Sequence, residues 1–392
     1  MKPRKIKDGI FYVGAQDWNR KLFDALIPLP DGTSYNAYLI YGTDKTALID
    51  TVDPTREHVL ASYLEEVENI DYVISHHTEQ DHSGSIPFVL EKYKSAKVVT
   101  NPKGKELLML HLHIPEDRFI TVADGETISL GDKTLKFIYT PWVHWPETMV
   151  SYLVEDKILF TCDFLGSHLA TSDLYVRDEG LVYEAAKRYY AEIMMPFRTI
   201  VEKNLEKIKD LEIDLIAPSH GPIYQNPSFI INAYKDWVSN PPKNIVVIPF
   251  VSMHNSTKIM VDYLTDKLIE KDIKVEIFDL SSVDIGKLAM ALVDAGTIVV
   301  GTPTVLTGPH PKAVYAVYLA NALKPKTKFI SVIGSYGWGG RTLDILKGLL
   351  SNLDAEIIDP VIIKGLPKKE DLKLLDDLAE KIYLKHKEAG LI

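Results

Sequence analysis

The most informative stretch of this chain is His76-His77-Thr78-Glu79-Gln80-Asp81-His82-Ser83-Gly84-Ser85. It follows the apolar run DYVIS, which predicts a strand, and precedes IPFVLEKY, which predicts a helix. Four potential metal ligands are packed into this turn: His77, Glu79, Asp81 and His82. Imidazole and carboxylate groups together suit iron, zinc or manganese. A polar loop that merely caps the next helix is the alternative, and so high a density of ligands makes it the weaker interpretation.

Three later segments each add one candidate ligand where a predicted strand gives way to a loop, which is where sites tend to be built. They contain His144 in PWVHWP, Asp163 at the end of ILFTCD, and His220 in APSHGP. Each residue alone is typical of an ordinary hydrogen-bonding group. In this order and spacing they resemble the metallo-β-lactamase superfamily. There, an H-x-H-x-D-H loop, a later His, a bridging Asp and a final His hold two metals.

Glu79 departs from the zinc-hydrolase pattern, which has a second His at that place. The substitution puts an anionic oxygen where the hydrolases have a neutral nitrogen, so Glu79, Asp81 and Asp163 together supply carboxylates. Hard anionic donors compensate the charge of ferric ions and suit a metal that changes redox state, whereas zinc has no redox cycle. The sequence therefore favours a pair of irons with an open position for a diatomic gas.

Composition excludes several classes of protein. The net charge is −10 and there is no long Lys or Arg run, which argues against nucleic acid as a partner. No apolar run approaches the roughly 20 residues of a membrane helix, and the start lacks the apolar core of a secretion signal. The single cysteine, Cys162, cannot form an internal disulfide or a rubredoxin-like iron site. We expect no membrane association and a cytoplasmic location.

The chain changes character at Ser239-Asn240-Pro241-Pro242-Lys243, where two prolines break helix and sheet. Before this point, short strand-like runs are interrupted by helical stretches at 84–93, 102–111 and about 180–208, which predicts packed sheets covered by helices. After it, five apolar runs predict a parallel, doubly wound sheet, because parallel neighbours need helical crossovers. These runs are 244–250, 274–278, 297–301, 329–334 and 356–363. We predict an α+β domain over 1–240 and an α/β domain over 244–392.

The second domain carries three candidate cofactor loops beyond the predicted strands. Ligands in such sheets bind there, and a helix N-terminus with hydroxyl side chains makes a phosphate cradle. The cradle consists of Ser252, Met253, His254, Asn255, Ser256 and Thr257. The other two loops contain Pro303, Thr304, Val305, Leu306 and Thr307, and Ser335, Tyr336, Gly337, Trp338, Gly339 and Gly340. Each loop alone is a common turn. Together they resemble a flavodoxin, which binds FMN, although Asn255 stands where that family usually has Gly.

A metal domain with H-x-E-x-D-H ahead of a flavodoxin-like domain resembles the flavodiiron proteins, or A-type flavoproteins. The resemblance covers the whole chain and includes NAYLI, HWPETM and YYAEIMMPF. It implies a metallo-β-lactamase-like αββα sandwich followed by a flavodoxin-like five-stranded sheet. Many members have Pro at position 80 and a pocket His where Asp24 stands here.

The same resemblance implies cofactors, ligands and partners. FMN would pass electrons to two iron ions that reduce oxygen to water, nitric oxide to nitrous oxide, or both. The implied iron ligands are His77, Glu79, Asp81, His144, Asp163 and His220, and His82 matches a position that is a ligand in some members. The active unit would be a head-to-tail homodimer or a homotetramer. The electron donor would be a rubredoxin, a reduced deazaflavin or a flavoprotein reductase.

Two functions from other classes compete with this hypothesis. One is a zinc-dependent hydrolase with an accessory flavodoxin domain, and Glu79 argues against it. The other is an electron carrier with a structural metal, and the complete ligand set argues against that.

Overall fold

The computed structural model describes residues 1–392. The chain divides into two compact units, residues 1–190 with 197–238 and residues 191–196 with 239–392. None of the helices combines the length and the apolar character that crossing a membrane requires.

The first unit contains a seven-stranded sheet with the order β1-β2-β3-β4-β5-β6-β7. Its strands are β1 Arg4–Lys7, β2 Ile10–Tyr12, β3 Tyr38–Tyr41, β4 Thr46–Ile49, β5 Tyr72–Ile74, β6 Lys97–Thr100 and β7 Phe119–Thr121. The pairs from β1 to β4 are antiparallel and those from β4 to β7 are parallel. Two short ribbons, Ala15–Asp17 with Thr33–Tyr35 and Leu22–Phe23 with Ile27–Pro28, lie outside this sheet.

A second, five-stranded sheet has the order β8-β9-β10-β11-β12 and ends on a parallel pair. The strands are β8 Thr127–Ser129, β9 Thr134–Tyr139, β10 Met149–Leu153, β11 Ile158–Cys162 and β12 Leu215–Pro218. Every residue of β10 and β11 is buried, as expected for strands covered on both faces. Ile40 and Ile74 of the first sheet pack with Phe137 and Phe160 of the second, so a core lies between the sheets.

Helices cover the outer face of the first sheet, where Leu60, Val89 and Leu108 join its core. The helices of this unit are α1 Glu57–Tyr63, α2 Gln80–Ser83, α3 Ile86–Lys92, α4 Pro102–Leu112, α5 Glu179–Tyr189, α6 Arg198–Ile208 and α7 Pro227–Val238. Their starts follow known rules. Asn101 caps α4 through the N–H of Gly104, with Pro102 as the first helical residue.

The second unit is a parallel sheet with helices on both faces. Its strands are β13 Lys243–Phe250, β14 Lys274–Asp279, β15 Ala295–Val305, β16 Phe329–Tyr336, β17 Glu356–Ile357 and β18 Val361–Lys364. Its helices are α8 Ser256–Ile269, α9 Ile285–Leu292, α10 Pro311–Leu323, α11 Thr342–Gly348 and α12 Lys369–Glu388. The order β14-β13-β15-β16, with β17 and β18 beside β16, is the flavodoxin order, whose switch point lies between β13 and β15.

The structure corrects two details of the predicted elements. The single helix predicted around 180–208 is interrupted by a π-helical turn, Tyr190–Met194, and a 3₁₀ turn, Met195–Phe197, because Pro196 cannot continue the helical hydrogen bonds. The strand predicted at 356–363 is two short strands, since Pro360 lacks the N–H that a sheet ladder requires.

Candidate metal centre

Asp163 lies between two groups of metal-binding side chains that converge at the ends of β5, β11 and β12. In the first group, His77 Nε2 lies 3.1 Å from Glu79 Oε2, and His144 Nε2 lies 3.2 Å from the same oxygen. His144 Nε2 also lies 3.1 Å from Asp163 Oδ2. One ligand atom from each of these four residues fits within 4.8 Å of the others, which is a spacing suited to one ion.

The second group faces the other oxygen of Asp163. His220 Nε2 lies 3.2 Å from Asp81 Oδ2 and 3.3 Å from Asp163 Oδ1. His82 Nε2 lies 2.7 Å from Asp163 Oδ1 and 3.3 Å from Asp81 Oδ2, so His82 joins this group. The two oxygens of one carboxylate thus point to two different ligand groups, which is the arrangement of a bridging ligand.

Backbone geometry at the strand ends directs these side chains. Cys162, the last residue of β11, has φ 52°, so the chain turns sharply just before Asp163. Left-handed conformations at non-glycine residues are costly and cluster at functional sites. Glu79 precedes α2, and the single turn of that helix carries Asp81 and His82 toward the second group. His76 is not part of the centre, because its ring bonds to Asp50 Oδ2 and Ser151 Oγ, both at 2.8 Å.

The carboxylates and imidazoles hold one another in their charged forms. Burial lowers the pKa of His144 and of His220, but the negative charge of Asp163, 3.1 Å and 3.3 Å from the two rings, outweighs it and raises the values to about 9 and about 10. Burial raises the pKa of Asp163, but His82, His144 and His220 hold it well below the usual range. Without a metal, the cluster is therefore a buried network of ion pairs.

Several buried atoms of this network lack a hydrogen bond: both carboxylate oxygens of Asp81, both ring nitrogens of His82, and Asp163 Oδ1. Buried polar atoms are rarely left without a partner, and a site for a bound ion is one accepted reason. A cation between Asp81, His82 and Asp163 would contact His82 Nε2, Asp163 Oδ1 and an oxygen of Asp81, although it would leave His82 Nδ1 without a partner. The residues present thus fit a pair of metal ions.

Outer hydrogen bonds fix the ring orientation of two of the histidines. His77 Nδ1 lies 2.9 Å from Glu147 Oε1, and His220 Nδ1 lies 2.5 Å from the carbonyl oxygen of Ser34. Glu147 is not among the site residues predicted from the sequence, although it lies within the HWPETM segment. The ring of His168 lies beside that of His220, tilted by 57° with 4.7 Å between the centroids, and His168 Nδ1 bonds to the Thr33 hydroxyl.

Asp24 lies close enough to Glu79 for a side-chain hydrogen bond. Partial burial and the negative charges of Glu79 and Asp81 raise the pKa of the Asp24 carboxyl to about 6. Asp24 and Ala25 both have positive φ, 49° and 53°, so this segment is a tight turn beside the metal ligands.

The candidate cofactor loops follow β13, β15 and β16, whose carboxyl ends share one sheet edge. Asn255 has φ 67° and its side chain does not cap α8. The N–H of Lys258 donates to Ser252 Oγ at 3.2 Å, and the N–H groups of Ser256 and Thr257 remain open to a phosphate. The hydroxyl of Thr257 is buried without a hydrogen bond. Thr304, Tyr336, Gly339 and Gly340 line a cavity of about 370 Å³.

Two features of these loops differ from the predicted open turns. β15 continues through Pro303, Thr304 and Val305, and Leu306 and Thr307 form a hairpin turn with φ 50° and 65°. Ser335 and Tyr336 likewise belong to β16, so only 337–340 form a loop there. Met253, Leu306 and Trp338 are exposed apolar side chains along this edge.

Comparisons with known proteins agree with this architecture. Residues 33–221 match the model of the ODP family beta lactamase. A nitric oxide reductase of Moorella thermoacetica is 36% identical over 97% of this chain and 98% of its own. A rubredoxin-oxygen oxidoreductase of Megalodesulfovibrio gigas is 31% identical over 97% of this chain and 98% of its own. The chain belongs to the flavodiiron family.

Solved structures of flavodiiron proteins superpose on the whole chain. The rubredoxin oxygen:oxidoreductase from Desulfovibrio gigas has a TM-score of 0.95 at 30% identity and covers 100% of both chains. The flavodiiron protein from Giardia intestinalis has a TM-score of 0.91 at 27% identity, covering 99% of this chain and 98% of its own. The predicted fold, a metallo-β-lactamase-like domain followed by a flavodoxin-like one, is confirmed.

As a flavodiiron protein, this chain is an oxidoreductase rather than a zinc hydrolase. FMN and a diiron site are the cofactors of the family, as predicted. The assignment of individual ligands stays a prediction, to which the geometry now adds detail.

Proposed function

We propose that this flavodiiron protein reduces oxygen to water, nitric oxide to nitrous oxide, or both, at a metal centre bridged by Asp163. The observation that carries the proposal is the division of one buried carboxylate between two ligand groups, with Oδ2 near His144 and Oδ1 near His82 and His220. A bridge sets the spacing of two ions and shares negative charge between them, which suits cooperative reduction of a diatomic gas.

The ligand atoms are assigned to two positions. His77 Nε2, Glu79 Oε2 and His144 Nε2 would hold the first iron, and Asp81 Oδ2 and His220 Nε2 the second. His82 Nε2 is proposed as a seventh ligand, because it lies in the second group. We refer to these as the His77 position and the His220 position.

The loops beyond β13, β15 and β16 would hold FMN. The open N-terminus of α8 and the Thr257 hydroxyl would take the phosphate, and the loop 337–340 would lie against the ring. When bound, FMN supplies the electrons and the two irons supply the centre at which the gas is reduced.

The protein's own residues set the conditions for that chemistry. Glu79, Asp81 and Asp163 supply the negative charge that ferric ions need. His77, Asp163 and His220 are all at most 2% exposed, so bulk water has little access to the ligand shell. Fixed charges act more strongly in such a site than in water.

Partners and location belong to the same proposal. We propose a homodimer or homotetramer in which each FMN serves the metal centre of a neighbouring chain. A relative named rubredoxin-oxygen oxidoreductase supports rubredoxin as a donor, with a reduced deazaflavin or a flavoprotein reductase as the alternatives. Cytoplasmic location is proposed from the single buried cysteine, which suits a reducing compartment.

The experiment is anaerobic reconstitution with Fe²⁺ and FMN, followed by separate gas assays with one chemically reduced flavin donor. We expect close to two irons and one FMN per chain, with consumption of oxygen, nitric oxide or both. The same protein loaded with zinc serves as the control and should consume neither gas. Gas reduction that survives zinc loading would contradict the proposal.

A further inference from the structure

The imidazole of His77 is hydrogen-bonded to a buried carboxylate, that of Glu147, which is not one of the candidate metal ligands. Glu147 Oε1 accepts hydrogen bonds from His77 Nδ1 at 2.9 Å, from the Thr78 N–H at 3.0 Å and from the Thr78 hydroxyl at 2.7 Å. Glu147 is 1% exposed. Its backbone oxygen also accepts a hydrogen bond from the Asn101 side chain. The Glu147 carboxylate is therefore held in a fixed position beside His77.

No such carboxylate supports the His220 position. His220 Nδ1 bonds to the carbonyl oxygen of Ser34, which is neutral, and His82 Nδ1 has no hydrogen bond. A carboxylate partner orients a ligand imidazole and increases its basicity more than a carbonyl does. The two metal positions therefore differ beyond their direct ligands.

We propose that Glu147 is a positioning residue that makes the two metal positions inequivalent. It fixes the proton of His77 on Nδ1, presents Nε2 to the metal, and places a negative charge in hydrogen-bond contact with a ligand histidine on one side of Asp163 only. The metal at the His77 position is thereby bound more tightly and, if iron, is the more readily oxidised of the two. This inference rests on the proposed ligand set but not on which gas is reduced.

The chain offers a matched control in the neighbouring residue. His76 bonds through Nδ1 to Asp50 Oδ2 at 2.8 Å, and Asp50 is 2% exposed. The His76–Asp50 pair therefore has the chemistry of the His77–Glu147 pair. The two histidines lie in the same loop, but the ring of His76 bonds to Asp50 and Ser151 and not to the metal ligands. Asp50→Asn, just after β4, removes the buried carboxylate that bonds to His76 and leaves the hydrogen bonds of the ligand histidines in place.

The test is a titration of metal-free protein with Co²⁺, whose absorption spectrum reports each position as it fills. In Glu147→Gln, the amide oxygen can still accept the Nδ1 proton, but the negative charge is gone. We expect the tighter of the two binding steps, which the proposal assigns to the His77 position, to weaken about 10–100-fold, as losses of outer partners typically do, and the other to change less than about threefold. In Asp50→Asn, the ratio of the two cobalt binding constants should stay at its wild-type value.

A second readout uses the iron protein without turnover. A stepwise reductive titration followed by Mössbauer spectroscopy measures how far the mixed-valence iron pair disproportionates. In Glu147→Gln the reduction potentials of the two irons should become more nearly equal, so the disproportionation constant should rise. Glu147→Asp keeps the charge at a longer distance and should lie between the wild type and Glu147→Gln. It also serves if the Gln variant fails to fold.

Three outcomes would overturn the inference: equal weakening of both binding steps, no weakening of either, or the same selective loss in Asp50→Asn. A protein that binds two cobalt ions unequally but reduces neither gas would refute the proposed function alone. The two proposals can therefore fail separately.

Discussion

His76 and His77 are neighbours in the chain, and their rings point to opposite sides of the loop that follows β5. His76 bonds to Asp50 and Ser151 within the protein, whereas His77 lies between Glu147 and the carboxylates of the metal centre. Alternation of side chains at the end of a strand produces this division. One histidine thus anchors the loop and the other presents a ligand atom.

Replacement of Asp163 by Asn should disrupt both metal positions. The variant keeps the size of the side chain but removes the charge shared by the two groups. We expect loss of at least one iron per chain, with an effect on gas reduction greater than the roughly 10–100-fold typical of outer partners. FMN content should not change, since its loops belong to the second unit. Iron and FMN analysis with gas consumption checks this, and two retained irons with normal turnover would show that Asp163 is not a bridge.

Metal binding should release protons. In the metal-free protein the pKa values of His144 and His220 are raised to about 9 and about 10, so both rings carry a proton at pH 7. A metal needs neutral imidazole, so its affinity should increase with pH and level off above about pH 10. Calorimetry in buffers of different ionisation enthalpy counts the protons. Release of no protons at pH 7 would contradict the ion pairing of His144 and His220 in the metal-free protein.

The phosphate loop should tolerate glycine but not a β-branched residue at position 255. Asn255 has φ 67°, a conformation that costs about 1–2 kcal/mol for ordinary residues. Asn255→Gly should retain FMN, and Asn255→Val should weaken FMN binding while iron content stays normal. Fluorescence titration with FMN measures both. Equal affinity in the two variants would place the phosphate elsewhere.

His386 should make the second unit sensitive to acid. Its ring is buried, with Nδ1 bonded to Asn244 at 2.8 Å and Nε2 to Thr297 at 2.7 Å, and burial lowers its pKa to about 4. The unfolded chain binds this proton near pH 6.5, so the stabilisation is complete above that pH and is lost as the pH falls toward 4. Relative to the wild type, His386→Gln should lower the free energy of unfolding most at pH 7.5 and less at pH 4.5. Thermal unfolding midpoints of both proteins, measured across this pH range, test the prediction. A difference between the midpoints that does not depend on pH would contradict it.

Much of the fold could be predicted from the sequence because short apolar runs and the turns between them indicate its strands and their connections. The apolar runs at 244–250, 297–301 and 329–334 lie within parallel strands in the expected order. The density of potential ligands alone predicts a metal site at the turn around His77, and the structure brings those side chains together with candidate ligands from distant strands.

Other features depend on tertiary contacts that no local pattern encodes. Glu147 looks like any acidic loop residue until the fold places it 2.9 Å from His77 Nδ1. The extension of β15 to Val305 depends on pairing with Gly308 and Pro309, so the sequence suggested a loop there. The helix predicted around 180–208 combined good helical periodicity on either side of Pro196, which hid the interruption.

The most direct test of the bridged centre is crystallography of the iron-loaded protein with data collected on both sides of the iron absorption edge. We predict two anomalous peaks, one beside His77, Glu79 and His144 and the other beside Asp81, His82 and His220, with Asp163 between them. A single peak, or two peaks that do not contact Asp163, would contradict the proposal.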